Sequence, residues 1–340
     1  MSDGNPYRIA GPALVSFSGG RTSAFMLRHI LDAYGGMLPA DIHVCFANTG
    51  REMPETLDFV EECSRRWSVK IVWLEYDPAA PRQTRIVDYA TASRDGEPFR
   101  AVIANRGFLP NPVTRFCTTE TKIRRMKAFM HHVRGYAHWL NVVGLRVDEM
   151  RRVAKMTDPA RMARERWTNA CPLAVAGVTR LDVAAWWREQ PFDLALPNRN
   201  GVTPLGNCDL CFLKSEVTIR GLIRDRPELA GWWIAREAEA RPSKPSGALF
   251  RIDRPGYAVM KRDAERQGDL IEFLDHGGSV DCAAPTDLER RVITAAVLWV
   301  NDQSCSQALA SLEEAVADYL AARAAARNQS SRPLEGDLRP

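Results

Sequence analysis

The 340-residue sequence lacks the features that mark membrane and secreted proteins. Its longest apolar runs, such as Ala295 to Val300, fall far short of the roughly 18 to 20 residues that a membrane span requires. The stretch from Met1 to Ile9 contains no basic segment followed by an apolar one, which a secretory leader needs. These absences predict a cytoplasmic protein without a membrane segment.

Strong charge of one sign is also lacking. Lys and Arg number 46 and Asp and Glu 42, and the net charge of +4 is too small to diagnose nucleic-acid binding, although it suits an anionic small substrate. No basic stripe with interleaved aromatic residues is evident, so the sequence allows a nucleic-acid substrate without demanding one. The proportions of 45% hydrophobic and 26% charged residues are those of a globular protein and exclude disorder of the whole chain.

What is present is an alternation of strand and helix patterns. Short apolar runs predict strands at residues 13–17, 42–47, 69–74 and 139–144, and helical spacing predicts helices at residues 22–34, 54–67, 119–133, 178–189, 216–226 and 230–239. This pattern predicts an α/β fold, a doubly wound parallel sheet followed by a mostly helical C-terminal region. The tryptophan pairs Trp186-Trp187 and Trp232-Trp233 are expected to pack between helices rather than to stack on bases.

Two regions depart from that alternation. Residues 77–111 are rich in Pro, Gly, Arg and Asp, with a weak helical stretch near residues 85–92, and long excursions of this kind carry function or are disordered. Toward the C-terminus the composition shifts to Ala, Leu and Glu, which predicts a helical pair at residues 288–300 and 306–327. We therefore expect an α/β domain over residues 1–180, a helical, cysteine-containing subdomain over residues 181–284, and a helical extension with a loose tail over residues 285–340.

The sharpest motif lies where the first strand meets the first helix and reads Ser16-Phe17-Ser18-Gly19-Gly20-Arg21-Thr22-Ser23. Its glycines permit a tight turn and let backbone N–H groups approach a ligand closely, and its hydroxyl groups add further donors. The helix N-terminus adds a partial positive charge, so the motif predicts a socket for phosphate or pyrophosphate. The alternative is a tight turn with a serine cap. A Walker loop and a dinucleotide fingerprint are excluded, because the motif lacks Gly-Lys and the Gly-x-Gly-x-x-Gly spacing.

This motif, Ser-x-Gly-Gly-x-Thr-Ser after a first strand, resembles the PP-loop of the ATP pyrophosphatase superfamily. Within that superfamily the sequence is most similar to the 3′-phosphoadenylylsulfate (PAPS) reductase-like family. Three further segments carry the resemblance in order: Asn48-Thr49-Gly50 with Pro54-Glu55-Thr56, Cys117 with Lys122, and Gly144 to Arg152 (GLRVDEMRR). The resemblance covers about residues 13 to 215 and implies the Rossmann-like α/β core of the HUP superfamily.

The resemblance implies that the chain binds an adenine nucleotide, ATP or PAPS, together with Mg²⁺. It implies the nucleotide-binding residues Ser16, Ser18, Gly19, Gly20, Arg21, Thr22, Ser23, Asn48, Thr49, Gly50, Glu55, Gly144, Arg151 and Arg152, and the catalytic residues Cys117, Lys122 and Arg146. Glu52 or Glu55 is expected to help hold Mg²⁺ or a ribose, although Glu55 fits equally as a carboxylate in the first turn of a helix. The family commonly has an acidic residue in place of Asn48, which argues against a metal-ligand role there.

Eight cysteines in a chain expected in the cytoplasm argue against a disulfide framework. Cys208 and Cys211 form a Cys-x-x-Cys pair, and a tetrahedral zinc or a 4Fe–4S site needs four soft ligands. The resemblance places Cys117 at the pocket as the third ligand, and Cys171 is preferred to Cys282 as the fourth because it lies within the matched region. An iron–sulfur cluster, zinc and unligated thiols all stay open, since the sequence lacks the adjacent Cys-Cys pair of cluster-bearing reductases. The cysteines expected to be ordinary buried residues are Cys45, Cys63 and Cys305.

Three functions are compatible with these motifs. In the first, the chain adenylates an acceptor with ATP, releases pyrophosphate and takes part in sulfur transfer. In the second, it is a sulfonucleotide reductase, in which a thiolate attacks PAPS or adenylylsulfate and sulfite is released. The sequence lacks the C-terminal Glu-Cys-Gly-Leu-His nucleophile of the classical reductases, which favours the first. The third is a nucleotide-binding protein without chemistry. A sulfur- or electron-donor protein is an expected partner of either enzyme.

Overall fold

The computed structural model describes residues 4–199, 201–240 and 248–276, with side chains as far as residue 266. Contacts group the chain into two compact units, Met1–Gly268 and Asp269–Pro340. The predicted helical pair at residues 288–300 and 306–327, together with Cys282 and Cys305, lies outside the described residues. The expected division near residue 180 stays a prediction.

A six-stranded sheet forms the core of the first unit. Its strands are β1 (Ala13–Phe17), β2 (Ile42–Ala47), β3 (Ile71–Tyr76), β4 (Thr84–Val87), β5 (Trp139–Val143) and β6 (Trp167–Ala170). Their order across the sheet is β4-β3-β2-β1-β5-β6. Neighbouring strands are parallel, except that β4 pairs antiparallel with β3. The predicted α/β fold is therefore confirmed, with an antiparallel strand at one edge.

Helices follow the strands and form the C-terminal part of the described chain. They are α1 (Arg21–Ala33), α2 (Pro54–Arg66), α3 (Glu97–Arg106), α4 (Arg124–Ala128), α5 (Met150–Met156), α6 (Pro159–Met162), α7 (Pro172–Val175), α8 (Arg180–Arg188), α9 (Glu216–Asp225), α10 (Ala230–Glu239) and α11 (Tyr257–His276). A π-helical turn precedes α4 at Thr118–Ile123 and another follows it at Phe129–Val133, and single 3-10 turns lie at Pro81–Gln83, Val147–Glu149 and Pro227–Leu229. Apart from the weak helical stretch expected near residues 85–92, the helices predicted in the described part of the chain are confirmed to within about two residues at each end, with residues 119–133 divided between α4 and its two π-helical turns.

The central strand β1 is apolar on both faces, as a strand buried in a parallel sheet must be. Val15 on one face belongs to the same buried cluster as Met26 and Ile30 of α1. Leu14 on the other face packs in a cluster with Phe129. This burial fixes the end of β1, and with it the position of the loop that follows.

The prediction of a helix near residues 85–92 is wrong, because Thr84–Val87 forms the edge strand β4. Thr84, Ile86 and Val87 are β-branched and favour extended backbone. The open edge of β3 offers them hydrogen-bond partners, and Arg85 Nη2 lies 3.1 Å from Glu75 Oε2 on that strand. A free strand edge thus decides the conformation of a segment whose own pattern is weak.

The tryptophan pairs pack between elements, as predicted. The Trp187 indole donates to the Arg21 carbonyl at 2.9 Å, and the Trp186 ring lies 5.4 Å from that of Phe25. Trp233 is fully buried, with the Tyr257 ring 5.2 Å away. Each helix in the described part of the chain is too short or too polar to cross a membrane.

Candidate functional site

The loop between β1 and α1 is a tight turn held by its own hydrogen bonds. Gly19 has a φ of +74°, which favours glycine, and a Cβ there would lie 2.7 Å from Thr56 Cγ2. The Ser23 hydroxyl donates to the Gly20 carbonyl at 2.9 Å and accepts from the Ser18 N–H at 3.1 Å. These contacts fix the backbone of the loop before any ligand binds.

The same turn leaves backbone donors free at the start of α1. The first N–H of the helix to bond back along the chain is that of Ala24, which reaches the Gly20 carbonyl at 3.1 Å. The N–H groups of Arg21, Thr22 and Ser23 therefore have no helical acceptor. The first turn of α1 contains no acidic side chain that would neutralise the positive end of the helix. This arrangement suits a phosphate group.

The side chain of Arg21 is occupied by the segment that follows α8. It is 8% exposed, and its Nε and Nη2 atoms each donate to the Asp193 carboxylate at 2.7 Å. Nη2 also donates to the Leu196 carbonyl at 3.0 Å, and Nη1 to the Thr203 hydroxyl at 2.9 Å. Arg21 therefore offers a ligand its backbone N–H, while its guanidinium holds residues 193–203 against the loop.

The loop after β5 closes the site from the other side. A Cβ at Gly144 would lie 3.5 Å from Ser23 Cα, so this loop runs close to the start of α1. Arg146 Nη1 donates to the Thr22 hydroxyl at 3.1 Å, and Glu149 accepts from the Arg146 N–H at 3.3 Å. Because β1 and β5 are parallel neighbours, both loops emerge at the same edge of the sheet, where open α/β sheets bind ligands.

These loops surround a cavity of about 350 Å³, which lies within the range of small-molecule sites. We refer to it as the phosphate cavity. The predicted residues that line it are Ser16, Ser18, Gly19, Gly20, Arg21, Thr22, Ser23, Gly144, Arg146 and Arg152, and the structure adds Thr56, Glu149, Thr203, Gly206 and Asn207. Arg151 is exposed and lies outside this lining. The charged lining residues are three arginines and one glutamate. Arg21 pairs with Asp193 and Arg146 Nε lies 2.9 Å from Asp148 Oδ1, so a polyphosphate would compete with these carboxylates for the arginines.

Helix α2 presents Thr56, not the predicted Glu55, to the phosphate cavity. Glu55 lies 3.6 Å from Arg226, whereas the Thr56 hydroxyl is buried without a hydrogen-bond partner among the described residues. The helical phase carries this signal, since Phe59 and Val60, three and four residues after Thr56, are both buried. The sequence analysis chose Glu55 because it carries a carboxylate and did not consider which residues of the helix face the core.

The turn after β2 is structural, and its residues lie outside the phosphate cavity. Asn48 is fully buried, and its Nδ2 donates to Glu75 at 2.7 Å and to the Ser93 carbonyl at 2.8 Å. Its Oδ1 accepts from the Gly50 N–H at 3.1 Å. A Cβ at Gly50 would lie 2.9 Å from the Gly96 backbone, so Gly50 permits close packing of two loops. The polar atoms of Asn48 are therefore occupied within the protein.

Glu52 is the centre of a buried polar cluster next to that turn. Its Oε2 accepts from the Thr49 N–H at 2.8 Å and from the Thr49 hydroxyl at 2.7 Å, and its Oε1 lies 3.3 Å from Lys122 Nζ. Burial acts to lower the pKa of Lys122, but the charge of the Glu52 carboxylate outweighs it and raises that pKa. Both oxygens of Glu52 have protein partners, which leaves this carboxylate poorly placed for Mg²⁺.

Three of the predicted thiols lie around this ion pair. Cys208 forms a strand-like bridge with Glu52, and its sulfur lies 3.4 Å from the Thr49 hydroxyl. Cys117 and Cys211 pack against the same apolar cluster that contains Cys208. Burial raises the pKa of Cys208 and that of Cys117, so these thiols are protonated at neutral pH as they stand. We refer to Cys117, Cys208 and Cys211 as the thiol cluster.

Cys171 does not join the thiol cluster. It is buried with Leu145 and Val153 at the end of β6. Cys208 adjoins the turn after β2, and three strand spacings of about 4.8 Å each separate β2 from β6. Among the described residues, no group of three or more His, Cys, Asp or Glu side chains is arranged to hold a metal ion.

Comparisons with known proteins agree with this architecture. Residues 12–194 match the phosphoadenosine phosphosulfate reductase domain. An uncharacterized nin region protein of Escherichia phage lambda is 29% identical over 223 residues, which are 64% of this chain and 71% of that protein. An uncharacterized protein of Methanocaldococcus jannaschii is 42% identical over 67 residues, 20% of this chain and 13% of that protein.

A solved structure also resembles the chain. It is the U34-tRNA thiolase NcsA from Methanococcus maripaludis with its 4Fe–4S cluster, which is 14% identical. The match covers 82% of this chain and 76% of that one, with a TM-score of 0.37. A likeness this weak carries no argument about ligand or reaction.

Proposed function

Because the chain belongs to the phosphoadenosine phosphosulfate reductase domain family, we propose that it binds ATP with Mg²⁺ and cleaves it at the α-phosphate during sulfur transfer. An acceptor oxygen attacks the α-phosphorus, the bond to the β-phosphate breaks, and pyrophosphate leaves. A sulfur nucleophile then attacks the carbon that bears the adenylated oxygen, the carbon–oxygen bond breaks, and AMP leaves. The observation that supports this proposal most directly is the phosphate cavity, whose donors converge on the space beside Gly19 and Gly20.

Different residues of the cavity bind the nucleotide and stabilise the charge that develops during the reaction. The free N–H groups at the start of α1 and the Thr22 hydroxyl bind the pyrophosphate part of ATP. Arg146 and Arg152 approach from the loop after β5 and offset the negative charge that develops on the leaving pyrophosphate. Catalysis of this kind depends on positioning and charge, so a rigid loop is an advantage.

Magnesium in such a site is held mainly by the phosphates of the nucleotide and by one or two carboxylates. Glu149 is the acidic side chain among the described lining residues of the cavity. It pairs with Arg152 and lies 3.4 Å from Arg146 Nη1. Because Glu149 lines the cavity and Glu52 and Glu55 do not, it is the carboxylate that we assign to Mg²⁺. Both of its oxygens pair with arginines, so Mg²⁺ would have to displace Arg152, whose side chain is 70% exposed.

The products of a nucleotide assay test the proposal. Full-length protein, purified anaerobically, is incubated with ATP and Mg²⁺ and separately with PAPS and reduced thioredoxin. We expect AMP and pyrophosphate from ATP, because water takes the place of the acceptor in attacking the α-phosphorus, and their loss in Arg146→Ala. Sulfite from PAPS would instead establish the reductase, and ADP with phosphate would contradict cleavage at the α-phosphate. ATP binding without any product would reduce the chain to a nucleotide-binding protein.

The thiol cluster is the second part of the proposal, as the place of an iron–sulfur cluster, with zinc as the alternative. Its three thiols are soft ligands of the kind that both metals take, one fewer than the four that a closed site needs, and they would have to move together to hold either metal. Lys214, beside them, donates to the Cys208 carbonyl at 2.8 Å, and burial lowers the pKa of this lysine. A thiolate-bound metal centre is negative and would compensate that buried cation. When bound, an iron–sulfur cluster would supply a site that holds a sulfur atom.

Metal analysis tests this second part. Anaerobically purified protein is expected to be brown, with about four irons per chain. Cys208→Ser should lose the iron, whereas Cys171→Ser, a buried thiol outside the cluster, should retain it. One zinc and no colour would establish the alternative, and a metal-free protein, or full iron in Cys208→Ser, would overturn the assignment.

A further inference from the structure

A second concave surface lies on one face of the sheet, beside the phosphate cavity. It has a volume of about 450 Å³. Its floor consists of alternate residues from three adjacent strands: Leu14 and Ser16 of β1, Trp139, Asn141 and Val143 of β5, and Trp167 and Asn169 of β6. The strand register places Leu14 beside Asn141 and Trp139 beside Trp167, so these side chains form continuous rows. We refer to this surface as the sheet-face groove.

The walls of the groove combine apolar and basic side chains. Met126 of α4 forms one wall, and Met156 and Met162 form the other. The charged lining residues are Lys127, Lys155, Arg161, Arg164 and Glu165. Lys127 pairs with Glu165 at 3.3 Å, whereas Arg161 and Arg164 form no ion pair within the part of the chain that the structure describes. The groove therefore presents excess positive charge to an anionic ligand.

The aromatic side chains of the groove stack on each other, and the half-buried Trp167 is the one that a ligand can contact. The ring centroids of Trp139 and Trp167 are 5.5 Å apart at an interplanar angle of 30°, and Lys127 Nζ lies 5.3 Å from the Trp167 ring centre. Trp139 is 5% exposed, yet its indole N–H has no acceptor among the described residues. Buried indole N–H groups normally have an acceptor, so this one points to a ligand that supplies it.

The groove is continuous with the phosphate cavity. Ser16 and Val143 line both, at the carboxyl ends of two paired strands. A ligand that fills the groove therefore lies next to a nucleotide bound in the cavity. The two surfaces otherwise have separate linings.

We propose that the sheet-face groove binds the acceptor as a nucleotide unit, with its base against Trp167 and its phosphates at Arg161 and Arg164. Bases stack on aromatic side chains whatever their sequence, and arginine forks suit phosphate oxygens. The base supplies the acceptor for the Trp139 indole N–H. That this nucleotide unit is the acceptor of the reaction rests on the proposed function, whereas its binding depends on the groove alone.

Binding of labelled oligonucleotides tests the inference. Single-stranded RNA and DNA of about 12 nucleotides are titrated against the full chain, with a mononucleotide as competitor. Trp167→Ala should weaken strand binding about tenfold, and Trp167→Phe should restore most of it. The preferred strand identifies RNA or DNA as the source, and competition by the mononucleotide at equal affinity identifies a free nucleotide.

Salt dependence tests the phosphate contacts. Arg161→Ala and Arg164→Ala should each reduce the slope of log affinity against log salt by about 0.7. The matched control is Arg188→Ala, an exposed arginine on α8 outside the groove, which should leave the slope unchanged.

The outcomes separate this inference from the proposed function. Strand binding that depends on Trp167 but occurs without AMP or pyrophosphate formation would retain the groove site and reject the adenylation. Absence of strand binding, or strand binding that both Trp167→Ala and Arg161→Ala leave unchanged, would overturn the inference. It would also be overturned if Trp167→Ala lost ATP affinity instead, because the groove would then hold the adenine of ATP.

Discussion

The phosphate cavity and the sheet-face groove are neighbours built in opposite ways. The cavity is formed mainly by two short segments, residues 16–23 and 144–152, and internal hydrogen bonds fix its loop. The groove draws its lining from residues spread between Leu14 and Asn169, and its floor is the surface of the sheet itself. Ser16 and Val143 are the points at which the two meet.

This difference explains why one site can be recognised in the sequence and the other cannot. An anion site at a helix N-terminus depends on local backbone conformation, so its residues are contiguous and form a motif. A groove on a sheet depends on strand order and register, which place Trp139 beside Trp167 across a crossover. Basic and aromatic residues do not alternate along the sequence, but the folding of the sheet brings Trp139 and Trp167 next to the basic side chains of the groove.

The largest effect is expected for the side chain that holds one wall of the phosphate cavity. Arg21→Ala removes the hydrogen bonds to Asp193, Thr203 and the carbonyl of Leu196. Because Asp193 is 41% exposed, most of the loss comes from the buried polar partners, and we expect the free energy of unfolding to fall by about 3 kcal/mol. Chemical denaturation measures this loss, and ATP affinity should fall with it.

The matched variant for this prediction keeps the positive charge at residue 21. Arg21→Lys retains the charge without the planar fork and should recover less than half of the lost stability. Oligonucleotide binding to the groove should not change in either folded variant. Unchanged stability in Arg21→Ala would show that residues 193–203 are held by other contacts.

An intermediate effect is expected for the turn of the phosphate loop. Gly19→Ala places a Cβ 2.7 Å from Thr56 Cγ2 at a φ of +74°, and we expect a loss of about 2 kcal/mol in the free energy of unfolding. Calorimetric titration should show ATP affinity reduced at least tenfold, as the loop shifts. Groove binding should again be preserved.

Gly20→Ala is the control for that substitution. The nearest atom to a Cβ at Gly20 is Ser18 Oγ at 3.7 Å, and the φ of Gly20 is −109°, so the fold should tolerate it within about 0.5 kcal/mol. Equal destabilisation by the two alanines would contradict the strain assigned to Gly19.

The sequence predicted the longer helices and the inner strands, because these follow from local patterns. It placed α1, α2 and α10 within a residue or so, and the anion site that it predicts at Ser18 to Ser23 lies in a tight turn at the start of α1. It could not show that the Arg21 side chain turns away to Asp193, because residue 193 follows the whole core sheet in the chain. Long-range pairing also decides the strand at Thr84–Val87.

The cysteines also show that separation along the sequence does not predict distance in the fold. Cys171 is nearer in sequence to Cys208 than Cys117 is, yet it follows β6, and β1 and β5 lie between that strand and β2, beside which the thiol cluster lies. The order of strands, not the spacing of cysteines, determines which thiols meet. The Cys-x-x-Cys pair was recognisable because its two residues share one turn, in which the Cys211 N–H donates to the Cys208 carbonyl at 3.3 Å.

The smallest change in stability is expected when the indole N–H is removed from either of two buried tryptophans, one beneath each site. The Trp187 N–H donates to the Arg21 carbonyl at 2.9 Å, so Trp187→Phe leaves that carbonyl unpaired and should cost about 1 kcal/mol of stability beyond the loss of packing. Trp139→Phe removes an N–H that has no protein acceptor among the described residues, and its cost should be that of packing alone. The pattern should reverse for the oligonucleotide, whose affinity should fall in Trp139→Phe and stay constant in Trp187→Phe. Thermal unfolding with and without the bound strand measures both quantities on the same samples. A larger stability loss in Trp139→Phe than in Trp187→Phe would show that the Trp139 indole already has a partner within the protein, and would remove its N–H from the argument for the groove.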